Sequence, residues 1–318
     1  AAWWSPDATR VAYLALDETQ VPRFPLVAYE ETGGSVEWLQ YPKAGEPNPV
    51  PSVHVVGLDG AAPVALDLGP DRDVYVPWAT WWPDGSKVAV AILDRAQTRF
   101  ELRLCDPAGG PGTTFLVETD AHWVDVPLPP RFLASRKAFV WTSRRDGFWR
   151  HWLVPLDGGE PRALTPAGVD VEGGPVAIDE AAGTIWWSAP SQDLWHDVIW
   201  KAPLDGGDPV AFTDDVRSHD VLGSPTARFF VDTASRLVEP RTTVLRRADG
   251  TEVRRLAAEA TPAYAALALE APELVRVPGP KGTTGLDLPA LVFGGRDLDP
   301  SRPRPVVVHT YGGPGARL

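Results

Sequence analysis

Short runs of apolar residues, each introduced by a polar turn, recur along the chain. Trp4-Ser5-Pro6-Asp7 comes shortly before Val11-Ala12-Tyr13, and Trp82-Pro83-Asp84-Gly85 comes shortly before Val88-Ala89-Val90. Proline and aspartate favour a tight turn, and β-branched and aromatic residues suit a pleated sheet. The pattern therefore predicts a turn followed by a strand, used more than once.

Weaker copies of this unit follow at residues 137–141, 183–187 and 228–231, at spacings of roughly 45 to 50 residues, which is the range of propeller blades. The segments Asp157-Gly158-Gly159 and Asp205-Gly206-Gly207 predict two matching hairpin turns. The first repeat carries a proline-rich insertion between Asp17 and Pro51. A two-sheet sandwich is the alternative, but sandwiches do not repeat a sequence unit, so we favour a β-propeller.

The pattern changes near Leu256. Residues 257–272 are rich in alanine and glutamate and predict a connection with a short helical turn. Three strands are predicted after it, at residues 274–277, 286–293 and 305–310, separated by turns rich in Gly, Pro and Asp. The third is almost wholly apolar, which is typical of a strand covered on both faces.

Composition and charge narrow the class of protein. The chain has 29 Gly, 34 Pro and 14 Trp, which agrees with many turns and strands, and its 44% hydrophobic content is that of a globular protein. The net charge is −12 and no basic stripe is present, so we expect no nucleic-acid partner. No apolar run is long enough to cross a membrane.

Cysteine and histidine usage argues against disulfide and metal chemistry. Cys105 is the single cysteine and lies in an alternating stretch, so we interpret it as a buried structural thiol. This fits a cytoplasmic protein and leaves a periplasmic or secreted one open. The six histidines lack zinc-binding spacing, so we expect neither a metal nor a cofactor, and His309 is expected to pack in the core.

The candidate for chemistry is Tyr311, which follows the apolar run 305–310 and precedes Gly312-Gly313. Loops after strands of open α/β sheets commonly bind ligands, and a protonated phenol can donate a hydrogen bond to an oxyanion. A packed tyrosine beside a Gly-Pro turn is an equally good interpretation of the spacing. Gly33-Gly34-Ser35 does not complete the nucleophile motif G-x-S-x-G.

Two charged segments are interpreted as structural. Glu30-Glu31 could bind an ammonium group, but its place in the insertion favours a solvated loop pair. Residues 143–147, Ser-Arg-Arg-Asp-Gly, predict a charged hairpin turn.

Four segments carry a family resemblance: Trp3-Trp4-Ser5-Pro6-Asp7, Asp17-Glu18-Thr19-Gln20-Val21-Pro22, Tyr41-Pro42-Lys43-Ala44-Gly45 with Asn48-Pro49, and the blade motif at residues 143–151. Together they resemble the propeller of the dipeptidyl peptidase IV branch of the prolyl oligopeptidase-type serine peptidases. The resemblance implies an eight-bladed propeller that caps an α/β-hydrolase with a Ser-Asp-His triad. Such enzymes release N-terminal dipeptides with Pro or Ala in second place. Pro305 to Pro314 is similar to the strand and loop that open the hydrolase domain of this family, so the family's oxyanion tyrosine falls on Tyr311.

The resemblance also implies what the chain lacks. The glutamates that hold the substrate amine would precede Ala1, and the triad would follow Leu318, so the chain is expected to be an inactive internal piece of a serine-type dipeptidyl peptidase. The expected fold is all-β: about five blades at residues 1–270, then the first strands of an α/β-hydrolase domain at 271–318.

The expected partners of the full-length protein are peptides with a free N-terminus and, in a homodimer, a second copy. The alternatives are a non-catalytic propeller used as a binding module and a related acylaminoacyl or prolyl oligopeptidase.

Overall fold

Antiparallel sheets dominate the computed structural model, which describes residues 1–30, 33–191, 195–257, 261–279, 287–294 and 301–311. The first sheet has the strand order β1-β2-β5-β6, and β3 and β4 pair only with each other as a separate hairpin. These strands are β1 (Ala2–Trp4), β2 (Arg10–Asp17), β3 (Arg23–Glu30), β4 (Gly33–Gln40), β5 (Val50–Gly57) and β6 (Val64–Ala65). The insertion predicted between Asp17 and Pro51 is thus the β3–β4 hairpin with its flanks.

The second and third sheets are built from the strands that follow the first sheet along the chain. In the second, the path is β11-β10-β9-β7 with β8 also paired to β9, and in the third it is β12-β13-β14-β15. Their bounds are β7 (Val74–Tyr75), β8 (Ala79–Trp81), β9 (Val88–Asp94), β10 (Arg99–Cys105), β11 (Thr113–Thr119), β12 (Arg131–Leu133), β13 (Ala138–Ser143), β14 (Arg150–Pro155) and β15 (Arg162–Ala163).

The fourth and fifth sheets have the orders β16-β17-β18-β19 and β20-β21-β22-β23. Their bounds are β16 (Glu172–Asp179), β17 (Thr184–Pro190), β18 (Asp197–Pro203), β19 (Val210–Ala211), β20 (Ser218–Gly223), β21 (Phe229–Arg236), β22 (Glu239–Arg247) and β23 (Glu252–Ala257). Five successive sheets, each built from strands that follow one another in the chain except that the first skips the β3–β4 hairpin, are blades of a β-propeller, and the two-sheet sandwich is excluded.

Each hydrophobic cluster lies between two consecutive sheets. Strand β9 shows why its sequence is apolar at every position: Val88 and Val90 pack towards the first sheet, whereas Ala89 and Ala91 pack towards the third. Side chains alternate across a strand, so a strand that is buried on both faces needs no polar alternation. The third and fourth sheets share another cluster around Trp187, and the fourth and fifth share one around Phe230.

The repeated turns have the predicted geometry. At the second, the Gly85 N–H donates to Trp82 O at 2.9 Å, and Gly85 has a φ of 70°. The first turn repeats this with Ala8, whose N–H donates to Ser5 O at 2.9 Å and whose φ is 55°. Both turns therefore place a residue with positive φ at this position, which is glycine in the second turn and alanine in the first.

After the fifth sheet, the structure has the predicted helical turn and two strands. The helix α1 (Pro262–Ala266) is the predicted helical turn, and β24 (Glu273–Pro278) pairs with β25 (Asp287–Val292) as a hairpin. The division into domains at residue 270 stays a prediction. In the described residues, no helix combines the length and apolar character that crossing a lipid bilayer needs.

The predicted strand at residues 305–310 is wrong for this structure. These residues form no regular strand, and Val306, Val307 and Val308 are 83%, 93% and 81% exposed. A strand needs a neighbour for its ladder, and no described element pairs with this segment. For the same reason His309, expected in the core, is exposed.

Candidate functional site

Tyr311 ends the last described segment. Its side chain is 62% exposed in this structure. Gly312 to Gly315, the glycine-rich loop that would accompany it, lies outside the described residues. The role of Tyr311 as an oxyanion donor stays a prediction.

A polar pocket of about 260 Å³ opens between the second and third sheets. One wall comes from the end of β11 and the loop after it, with Glu118, Asp120 and Asp125, and the other comes from the turn between β13 and β14, with Arg144 and Arg145. This turn is the predicted Ser-Arg-Arg-Asp-Gly hairpin. Carboxylates and guanidinium groups thus face one pocket from two sheets.

The inner end of this pocket is held by Glu118, which is 7% exposed. Its carboxylate accepts hydrogen bonds from Trp141 Nε1 at 2.9 Å and from Ser143 Oγ at 2.7 Å. Burial raises the pKa of Glu118, and the two hydrogen bonds and the positive charge of Arg145 only partly offset this. The carboxylate is therefore a structural acceptor that fixes β11 against β13.

The two arginines of the turn are held differently. Arg144 Nη1 donates to Asp125 Oδ2 at 2.8 Å, which ties the turn to the opposite wall. The Arg145 guanidinium lies 5.5 Å from the ring centroid of Trp152, a cation–π contact that keeps the charge beside the pocket. The pocket therefore offers both hydrogen-bond donors and acceptors to a polar ligand.

Other candidate residues of the sequence are not brought together here. Ser35 lies in the exposed strand β4, Glu30 ends β3, and Glu31 is outside the described residues. Cys105 is 1% exposed, and burial raises the pKa of its thiol to about 11, which confirms the structural interpretation. Within the described ranges, no group of three or more His, Cys, Asp or Glu side chains could hold a metal ion.

Comparison with known proteins decides the family. A family model described as "Dipeptidyl peptidase IV (DPP IV) N-terminal region" matches residues 1–241. The chain belongs to this family. The match to the dipeptidyl peptidase IV N-terminal region covers the first four sheets and the first two strands of the fifth, and it ends at the start of β22. It confirms the resemblance seen in the sequence.

Relatives of this dipeptidyl peptidase IV region carry related names. The "Probable dipeptidyl-aminopeptidase B" of Coccidioides posadasii (strain C735) is 28% identical over 220 residues, covering 61% of this chain and 24% of that protein. The protein of the same name from Aspergillus oryzae is 27% identical over 239 residues, covering 67% of this chain and 26% of that protein. The chain thus spans about a quarter of the length of these curated relatives.

A solved structure supports the fold. The crystal structure of Porphyromonas gingivalis dipeptidyl peptidase 4 superposes with a TM-score of 0.83 at 24% identity. The superposition covers 95% of this chain and 43% of that one. At this identity the similarity establishes the propeller fold alone, and nothing about individual residues is carried over.

Sequence reasoning missed the pocket between the second and third sheets. Residues 143–147 predict a turn within a blade motif, and no sequence motif points to Glu118 or Asp120. Their proximity depends on the packing of the second sheet against the third, since Glu118 in β11 and Ser143 in β13 meet across the boundary between these sheets. One sequence signal points to this pocket: Glu118, near the end of a strand in one predicted blade, is followed in the next blade by the turn that contains Arg144 and Arg145.

Proposed function

We propose that this chain is the propeller portion of a serine exopeptidase that releases N-terminal dipeptides, Xaa-Pro or Xaa-Ala, from peptides. The observation that carries the proposal is the family match over residues 1–241, together with relatives named dipeptidyl aminopeptidases. The Ser-Asp-His triad and the amine-binding glutamates are assigned to other parts of the full-length protein, and this chain alone is expected to be inactive. A homodimer of the full-length protein stays a prediction.

Within this proposal, Tyr311 supplies one oxyanion donor. A phenol stays protonated at neutral pH and can stabilise the developing alkoxide of an acyl-transfer reaction. The accessible position of the side chain supports this role. Residues 305–310 would then pack against the remainder of a hydrolase sheet, which would explain why three consecutive valines are exposed here.

The test is Tyr311→Phe in the full-length protein, assayed with a Gly-Pro anilide. We expect kcat to fall by about a hundredfold or more, because one transition-state donor is lost, with the thermal unfolding midpoint unchanged. Tyr29→Phe is the matched control, since Tyr29 is 92% exposed on the β3–β4 hairpin and should leave kcat unaltered. A near-normal kcat for Tyr311→Phe would remove Tyr311 from the catalytic machinery.

The same assay separates the alternatives. Cleavage of the Gly-Pro anilide but not of its N-acylated form supports a dipeptidyl peptidase, because such an enzyme needs the free amine. Cleavage of the N-blocked substrate would indicate an acylaminoacyl or prolyl oligopeptidase. Absence of hydrolysis of either substrate by the folded full-length protein would indicate a non-catalytic binding propeller.

A further inference from the structure

The β3–β4 hairpin is a two-stranded ribbon that lies outside the blades. Its register runs through eight residue pairs without a bulge, and no other described strand pairs with β3 or β4. An isolated two-stranded ribbon is marginally stable in water, whereas three or more strands with an apolar face are stable. The hairpin therefore gains stability from an additional strand.

Both faces of this hairpin expose apolar side chains. Val27, Val36 and Trp38 share one face and are each about half exposed, and Leu26 on the other face is 46% exposed. The exposed large apolar side chains of the hairpin and its flank are Leu26, Val27, Tyr29, Val36, Trp38, Leu39 and Tyr41. Together they present roughly 700 Å², which exceeds the apolar patch of a typical monomer and approaches the about 800 Å² that each partner buries in a standard interface.

The backbone of β4 has a free outer edge. The Tyr41 N–H donates to Pro22 O at 2.9 Å, and hydrogen-bonded and non-hydrogen-bonded pairs alternate along an antiparallel ladder. By this alternation, the N–H and C=O groups of residues 34, 36, 38 and 40 point away from β3. On β3 the outward positions include Pro25, which pairs with Trp38 and has no N–H. The outer edge of β4 is thus complete, whereas that of β3 is interrupted.

The edge of β4 has none of the usual protection against pairing. Natural strand edges are commonly shielded by lysine, by proline, by a bulge or by short length. Strand β4 has eight residues, Gly-Gly-Ser-Val-Glu-Trp-Leu-Gln, of which only Glu37 is charged. An unshielded edge of this length is a template for another strand.

A second copy of β4 fits this edge. Two identical strands related by a two-fold axis run antiparallel, so the edge is complementary to itself. With the axis at Val36, residues 33–39 of the two copies pair, and Trp38 of each copy lies opposite Gly34 of the other. An aromatic ring over a glycine stabilises a sheet. An axis at Glu37 would instead place two like charges opposite each other, which is unfavourable.

We propose that the free edge of β4 binds β4 of a second copy of this chain, so that two hairpins form one four-stranded antiparallel sheet across a two-fold axis. This assigns a surface to the homodimer expected of the full-length protein. The pairing uses the hairpin alone and is measured without substrate. A failure of pairing is therefore distinguishable from a failure of the proposed peptidase function, which the Gly-Pro anilide assay tests.

The first test is disulfide cross-linking of full-length Val36→Cys under mild oxidation, read on a non-reducing gel. Across the axis, the Cα atoms of residue 36 lie about 5.5 Å apart, which suits a disulfide. Val27→Cys is the matched control, because Val27 is equally exposed and pairs with Val36 within the hairpin. In the proposed sheet, the two copies of residue 27 are three strand spacings, about 14 Å, apart.

We expect a cross-linked dimer of Val36→Cys and none of Val27→Cys, with the unsubstituted protein as background. Cys105 is 1% exposed and should not contribute. Equal cross-linking of the two variants, cross-linking of Val27→Cys alone, or no cross-linking of either would overturn the proposal.

The second test is sedimentation velocity of full-length Val36→Pro and Val27→Pro. Both residues have an N–H that points away from the hairpin ladder, so the hairpin keeps its own hydrogen bonds. Val36→Pro removes an inter-copy hydrogen bond on each side of the axis and should raise the dimer dissociation constant about tenfold or more. Val27→Pro should leave this constant unchanged. Equal dissociation constants for the two variants, or an unsubstituted protein that stays monomeric up to about 100 μM, would contradict the pairing.

Discussion

Acid should destabilise this propeller through one buried imidazole, that of His151. The side chain lies in β14, is fully buried, and contacts Thr142 Oγ1 through Nδ1 at 2.9 Å, while Nε2 has no hydrogen-bond partner. Burial lowers the pKa of His151 from 6.5 to about 3. The folded protein therefore keeps this ring neutral at pH values where the unfolded chain protonates it.

The expected magnitude follows from linkage. Between pH 6.5 and pH 3 the unfolded state binds one more proton than the folded state, so the free energy of unfolding falls as the pH drops through this window. Each unit is worth about 1.4 kcal/mol, and the loss from pH 7.5 to pH 5 is about 2 kcal/mol. The lowered carboxylate pKa values, such as that of Asp67 at about 2, act mainly below this range.

The assay is urea unfolding followed by tryptophan fluorescence at pH 7.5, 6 and 5, comparing wild type with His151→Asn. The variant should be less stable at pH 7.5, because it leaves a cavity, but the gap should shrink by about 2 kcal/mol at pH 5. Subtracting the two curves also removes the opposite contribution of Glu118, whose raised pKa lowers stability as the pH rises. His122→Asn, at a side chain 93% exposed, is the control. A gap that stays constant across the three pH values would refute the reasoning.

Two further predictions follow from the fold. Cys105, with its thiol pKa raised to about 11 by burial, should react with a disulfide reagent at pH 8 only as fast as the protein unfolds, so the rate should rise with urea; rapid labelling of the native protein would contradict this. Ala8→Gly should raise the free energy of unfolding by about 0.5 kcal/mol, because Ala8 has a φ of 55°. Ala108→Gly, in an exposed turn without positive φ, should lower stability instead, and equal effects in thermal unfolding would argue against strain at Ala8.

The repeating units could be predicted because their information is local. The Trp-Pro-Asp-Gly turn and the six apolar residues from Val88 to Leu93 specify a turn and a strand without reference to distant residues. The same local signals located the insertion, the two Asp-Gly-Gly hairpins and the short helical connection.

The errors and omissions share another cause. An apolar run at residues 305–310 suggested a covered strand, but coverage depends on a partner element that no local pattern specifies. The pocket between the second and third sheets is not predicted because Glu118 meets Ser143 only after these sheets pack together. A candidate site that is built from residues of more than one blade can therefore be recognised in a structure but not from the spacing of residues in the sequence.

The β3–β4 hairpin can be separated from the architecture that carries it. The Tyr41 N–H donates to Pro22 O at 2.9 Å, so the chain enters and leaves the hairpin at adjacent points, and Asp17 still pairs with Val50 beneath it. Leu26, Val27, Val36 and Trp38 on the hairpin are all about half exposed, which is unfavourable in water. The hairpin is therefore a place where sequence can be shortened or replaced while the strand pairing of the first blade is kept.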